Sequence, residues 1–308
     1  MQRYADHTNS AASHERSREL TGLFAGLAGV FIFGLTLPMT RIALVGFDRY
    51  FVGIGRAVPA AFLAAIILAV TRQPVPPLRS WGRIIVAAAG VIFGFPILAT
   101  AAMEHVPAAH GAVIMAVLPL ATAMAGAIMV GERPSFGFWF AGVSGSLLVL
   151  IFAVIESGGI RLQLADLLLA AAIVSAAVGY AQSGILARQI GGCQVISWAL
   201  VFSLPVLIPA LWLFAAPINW SAPSSAWMGF LYVSLMSQFL GFFFWNQGMA
   251  LAGVARTGQL QLLQPFITLA ASVLLLGEKV GWRHAGFALA VAIIVSLGRR
   301  LRVDRRIH

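Results

Sequence analysis

The chain has 308 residues, of which 60% are hydrophobic and only 10% charged. An ordinary soluble domain carries roughly 25% charged residues, so water is excluded as the medium covering most of this surface. The formal charge of +10 is no nucleic-acid signature, because the arginines are scattered between apolar runs and clustered at the two tails. The single cysteine, Cys193, excludes an internal disulfide and a cysteine metal site.

In chain order, residues 1–19 are polar and read as a disordered cytoplasmic tail. The apolar run from Leu20 to Pro38 is long enough to span and is followed by no small-residue cleavage site, so a membrane helix is preferred over a signal peptide. A spanning helix needs about 20 mostly apolar residues. Ten such segments are predicted, at 20–40, 50–71, 82–103, 107–130, 135–155, 164–187, 194–215, 226–250, 256–276 and 281–298. Between them lie prolines, glycines and charges, as in Arg72 to Arg79, Gly131-Glu132-Arg133-Pro134, Glu156 to Gly159, Pro217 to Pro223 and Gly277-Glu278-Lys279. A basic segment, 299–308, closes the chain.

The sequence repeats itself. A shift of 146 residues carries Trp81 onto Trp227, Phe93 onto Phe239, Met103 onto Met249 and Ala109 onto Ala255. It also carries Pro119 onto Pro265, Thr122 onto Thr268, Ala125 onto Ala271 and Gly131-Glu132 onto Gly277-Glu278. Shared apolar residues are cheap coincidences in such a chain; aligned Trp, Pro and Gly-Glu are not. Each unit, 20–155 and 164–298, holds five helices. An odd number makes consecutive copies enter the membrane from opposite sides, the inverted-repeat architecture of many secondary transporters. With both termini inside, 14 of the 20 basic residues face the cytoplasm, as the positive-inside rule asks. Lys279 and Arg283 run against that bias.

On Gly34 with Pro38, on Gly55-Arg56-Ala57, and above all on Pro119 with Gly131-Glu132-Arg133 and Pro265 with Gly277-Glu278-Lys279, the chain resembles the EamA-type members of the drug/metabolite transporter superfamily. The resemblance covers nearly everything after residue 20. It departs at Phe33, where the family often has Trp, and at His110, where small or hydroxyl residues are usual. It implies an all-α inner-membrane protein that transports, commonly outward, amino acids, their derivatives or other metabolites. Fold resemblance does not identify the cargo.

Polar side chains in a bilayer are costly and tend to face a bundle interior or a wet cavity. Gln261, Gln264 and Thr268 form one stripe on the ninth helix, around Pro265, which cannot donate to the carbonyl one turn back. The stripe is a candidate substrate site; the competing reading is hydrogen bonding that holds the bundle together. Gln238 and Trp245 share a face of the eighth helix, with Asn246 beside them. Tyr180 and Ser183 share one on the sixth, and Thr36 and Thr40 on the first, where hydroxyls often bond their own backbone. The candidate cavity is therefore lined by Thr36, Tyr180, Gln238, Trp245, Gln261, Gln264 and Thr268, with Pro38, Pro119 and Pro265 as kinks for gating.

Arg56 either snorkels to the interface or pairs with a substrate carboxylate, and the structural reading is preferred. Glu132 and Glu278 are read as complementing the positive end of the helix that follows each. His110 is read as a polar-facing histidine near the membrane surface. The acidic residues all fall in tails, loops or helix ends, which weakens a deep carboxylate relay. No catalytic residue, metal site or cofactor is expected: there is no metal-ligand spacing among the histidines, no paired carboxylates and no GxxxxGK[ST] phosphate loop. The expected partners are a small-molecule substrate and the lipid bilayer, with proton or ion coupling left open and a monomer or weak dimer as the assembly. The alternative is a membrane-embedded enzyme or a scaffold subunit without transport.

Overall fold

The computed structural model describes residues 2–130, 133–134, 136–156, 163–252, 257–258, 260–300 and 303–304. The helical rods are α1 (Gln2–Gly34, continued after Leu35 by Thr36–Leu44), α2 (Phe51–Val70), α3 (Leu78–Met103), α4 (Ala108–Met129) and α5 (Phe136–Glu156). The second set is α6 (Leu164–Ile190), α7 (Gly192–Phe214), α8 (Ser224–Ala252), α9 (Gln261–Leu276) and α10 (Trp282–Arg300). Among the described residues, seven of these (α1 over Ser17–Leu44, α2, α3, α4, α6, α7 and α8) are long and apolar enough to cross a bilayer, and α9 and α10 carry shorter apolar stretches.

One local expectation is corrected. The polar N-terminal residues join α1 as helix from Gln2 rather than forming a disordered tail; extending an existing helix adds a hydrogen bond for each residue fixed, with no new nucleus to form. The fold is all-helical, as expected; the one extended pairing among the described residues is a two-residue contact of Arg133–Pro134 with Val303–Asp304 outside the bundle.

The 146-residue repeat is a repeat of backbone. Leu78 and Ser224 begin α3 and α8 at equivalent positions, each after an extended proline, Pro77 (ψ 144°) and Pro223 (ψ 150°). Proline fixes φ and has no N–H to leave unpaired, which suits it to a helix entrance. Phe136 and Trp282 begin α5 and α10, again 146 apart. The helix contacts obey the same relation. Helix α1 packs along α8 as α6 packs along α3, and α2–α7, α4–α9 and α5–α10 each pair a helix with its own counterpart.

Small residues set these crossings. A Cβ on Gly248 would lie 2.9 Å from the Gly26 Cα where α8 meets α1, and one on Gly90 would lie 2.8 Å from the Gly179 Cα where α3 meets α6. In a lipid-surrounded bundle such close approach supplies the dispersion contacts that hydrophobic burial cannot. The outward faces remain apolar, with Phe24, Ile66, Val174, Trp212 and Leu274 all exposed, a pattern that a water-soluble monomer does not show. The chain is a multi-pass membrane protein.

Candidate substrate-binding site

Among the described residues, three π-helical segments interrupt the bundle: Phe51–Gly55 at the start of α2, Ala89–Gly94 in α3 and Tyr232–Gly241 in α8. Shifted by 146, residues 89–94 fall inside the α8 segment, so this irregularity belongs to the repeat. Such wide turns are rare and concentrate at functional sites, because they re-aim side chains and loosen the backbone ladder.

The three segments converge. Arg56 directly follows the first and is only 2% exposed. Its Nη2 donates to the Ser237 hydroxyl at 2.8 Å, and that hydroxyl lies 2.8 Å from the Thr36 hydroxyl. Next to Ser237, Gln238 donates from Nε2 to the Val91 carbonyl at 3.0 Å, tying the α8 segment to the α3 segment. An aromatic wall closes this centre. Phe33 stacks on Tyr180 with ring centroids 6.2 Å apart and meets Phe242 and Trp245 edge-on, at 5.0 and 6.3 Å. Tyr180 also packs on Phe242 and Trp245, each at 5.8 Å.

Of the predicted site residues, Thr36, Tyr180, Gln238 and Trp245 are thus brought into one buried cluster contributed by both repeats. Several of its polar atoms have no hydrogen-bond partner: Arg56 Nε, Gln238 Oε1, Trp245 Nε1 and the nearby Ser234 hydroxyl. A buried donor or acceptor left unmade costs about 1–3 kcal/mol, so this cluster holds unspent polar capacity. Arg56 does not snorkel: its whole side chain is enclosed between α2, α6 and α8, too far inside to reach the surface. Ser237, Phe33 and Phe242 were not among the predicted site residues. A serine in an apolar segment was visible, but the π turn that aims it at Arg56 has no sequence period.

The ninth-helix stripe lies on the other side of α1. Pro38 has no N–H for the Gly34 carbonyl, and the Thr268 hydroxyl takes that acceptor at 2.6 Å. At Pro265 the expected free carbonyl is not free. Residues Gln261–Leu263 tighten into a 3-10 turn, and the Gln264 N–H donates to the Gln261 carbonyl. Helix α4 breaks equivalently ahead of Pro119, at Ala116–Val117. Gln261 is 1% exposed with both ends of its amide unpartnered, and Gln264 Oε1 is unpartnered as well.

The charged residues at one end of the bundle depart from expectation. Glu278 does not serve the helix that follows it. Gly277 takes a left-handed conformation (φ 64°) that ends α9, and the Glu278 carboxylate then accepts the Ala108 and Ala109 N–H groups of α4, both at 2.9 Å. Arg41 lies 3.7 Å from the same carboxylate and donates to the Val106 carbonyl. Glu132 lies outside the described residues. His110 is not at a polar surface: it is buried against Asp166, 2.7 Å away, and packs on Phe152. Asp166 also accepts the Gln163 N–H in a capping box that starts α6, which is how a helix-end carboxylate becomes interior. Asp166 edges an apolar cleft of about 550 Å³ between α4, α5 and α6.

Comparison with known proteins decides the family. The EamA-like transporter model matches residues 20–155 and again 163–298. This chain belongs to the EamA-like transporter family. Among its EamA-like relatives, the uncharacterized transporter YdeK of Bacillus subtilis (strain 168) is 44% identical over 285 residues, spanning 92% of this chain and 99% of YdeK. A protein of Streptantibioticus cattleyicolor named as a probable terminal-alkyne amino-acid exporter is 27% identical over 274 residues, 85% of this chain and 89% of that one. A solved crystal structure shares the fold with a TM-score of 0.57 at 17% identity, over 92% of this chain and 98% of that chain. The two EamA matches coincide with the two sets of helices, so the central cluster lies where one EamA unit meets the other.

Proposed function

We propose that this EamA-like transporter is a secondary exporter of small polar or amphipathic metabolites, such as amino acids or their derivatives, working by alternating access. One observation carries the reading: Thr36 and Arg56 from the first unit meet Tyr180, Ser237, Gln238 and Trp245 from the second in one buried cluster. A site built from both units changes its accessibility when one unit rocks on the other. The glycine crossings and the breaks before Pro38, Pro119 and Pro265 supply the compliance. The name of the Streptantibioticus relative supports amino-acid chemistry and the outward direction.

In this reading, ten helices span the inner membrane as two inverted units with both termini in the cytoplasm. The basic residues support that orientation by a modest excess: Arg18, Arg72, Arg79, Arg83, Arg188, Arg299 and Arg300 lie at one set of helix ends, against Arg41, Arg49, Lys279 and Arg283 at the other. Proton coupling, where it operates, falls to the buried His110–Asp166 pair, with Glu278 and Arg41 at the same helix end and His284 across Phe152. The protein acts as a monomer or weak dimer on a small-molecule substrate, without a cofactor.

The test is twofold. Purified protein in proteoliposomes should move at least one member of a broad panel of amino acids and small metabolites faster than empty vesicles do. A metabolite survey of overproducing cells should show an extracellular product that falls with Gln261→Ala and Gln264→Ala at unchanged membrane levels of the protein. Normal export by both variants would remove the ninth-helix stripe from the site. No flux for any solute would remove the reading itself.

A further inference from the structure

The interior charges of this bundle are not treated alike. His110 and Asp166 face each other at 2.7 Å. Glu278 has two backbone N–H groups and Arg41. Arg56, enclosed as completely as any of them, has one neutral hydroxyl at 2.8 Å and the ring of Tyr180 nearby. No carboxylate lies within ion-pair distance of it among the described residues. An ion taken out of water loses several kcal/mol of solvation, and only a partner of opposite charge with good hydrogen bonds restores it.

We infer that Arg56 docks the carboxylate of the transported solute, and that the cargo is a small organic acid with an apolar body and one hydrogen-bond donor. The inference deepens the transport reading and rests on it. The chemistry of the surroundings selects the class. A guanidinium presents its donors as a planar fork, which matches the two oxygens of a carboxylate, and Arg56 Nε donates to nothing. Ser237, held by Thr36 and by Nη2, orients the fork, so that it does not collapse onto a neighbour in the absence of cargo. Around it, Phe33, Tyr180, Phe242 and Trp245 offer rings that an inorganic anion has no use for but an apolar or aromatic body does. Gln238 Oε1 is an unpartnered acceptor, suited to an amine or hydroxyl on the same solute, and Trp245 Nε1 is an unpartnered donor. An arginine kept only for structure would be expected to have its donors occupied by carbonyls or carboxylates. This one leaves Nε unpartnered and has a single hydroxyl on Nη2.

The experiment uses full-length protein in lipid nanodiscs and reads the shift in melting temperature with matched probes. L-Phenylalanine is set against phenethylamine, L-leucine against isopentylamine, and hydrocinnamate and inorganic phosphate are added singly. The acids should stabilise the wild type and the decarboxylated amines should not. Arg56→Gln should weaken the binding of the acids by about tenfold to hundredfold, as expected for losing a charged hydrogen-bond partner, and Arg56→Lys should retain part of it. Amines that stabilise as well as acids overturn the inference. So does an acid shift that survives Arg56→Gln, a shift produced by phosphate alone through Arg56, or no shift with any acid. Because Arg56→Gln can fail to fold, the wild-type acid–amine comparison and Arg56→Lys decide the matter without it. Flux separates the two readings. Acids that bind through Arg56 yet are not carried sink the transport reading and leave the site; amines carried in preference to acids leave transport and sink the site.

Discussion

Helices α3 and α4 and their counterparts α8 and α9 share a backbone and differ in chemistry. Both α3 and α8 start after an extended proline and both contain a π segment; both α4 and α9 break ahead of a proline. Yet Val91, Ile92 and Ala99 stand in α3 where Ser237, Gln238 and Trp245 stand in α8, all six buried. Met115 and Leu118 stand in α4 where Gln261 and Gln264 stand in α9. The first unit supplies polarity elsewhere, at Arg56 and Thr36. On the proposed alternating-access reading, the shared backbone shape serves a motion common to both units, while the diverged side chains build one asymmetric site. If one cargo is bound at a time in that centre, symmetry of shape is useful and symmetry of chemistry is not required.

That comparison can be broken by exchanging equivalent positions. Gln238→Leu removes the amide that ties the two π segments together and should lower flux by about tenfold or more, the effect of losing a buried hot-spot contact of about 2 kcal/mol. Ile92→Leu, at the equivalent α3 position, conserves volume and should leave flux within about twofold. Equal losses at the two sites, measured in proteoliposomes at matched protein load, would erase the asymmetry argued above.

A second exchange sharpens the account of the helix ends. Glu278→Gln deletes the charge that serves the two α4 N–H groups and Arg41. It should cost about 1–3 kcal/mol of stability, seen as a lower melting temperature, with flux per folded molecule little changed. A large loss of flux in fully folded protein would instead give this carboxylate a part in transport. The smallest effect concerns the aligned threonines. Thr268 reaches the Gly34 carbonyl of α1 as well as its own helix, whereas among the described residues Thr122 donates only within its own helix, to the Leu118 carbonyl. Thr268→Val should cost about 1 kcal/mol in denaturation and Thr122→Val close to none.

Much of the architecture was legible because its causes are local. Twenty-residue apolar runs, prolines at helix entrances and a 146-residue repeat each leave a mark in the sequence, and the family motifs at Pro119 and Pro265 lie on them. The polar members of the site were legible too, since a Gln or Trp inside an apolar run needs a reason to be there. The partnerships were not. Glu278 serves a helix 170 residues away because a left-handed glycine turns it back toward α4, and His110 is interior because a capping box presents Asp166 to it.

By itself, then, the sequence determined a membrane protein built of two similar units with polar residues concentrated in the second, because hydropathy, periodicity and repetition are properties of neighbours along the chain. Only the tertiary structure decided that Arg56 is enclosed beside Ser237 and Tyr180 with no counter-charge among the described residues. The reason is physical. Those contacts join residues up to 181 positions apart, and π turns, which have no sequence period, rotate the side chains into place. Burial also changes what a charge requires, since an arginine that water would satisfy at the interface needs hydrogen-bond acceptors or an anion in the interior.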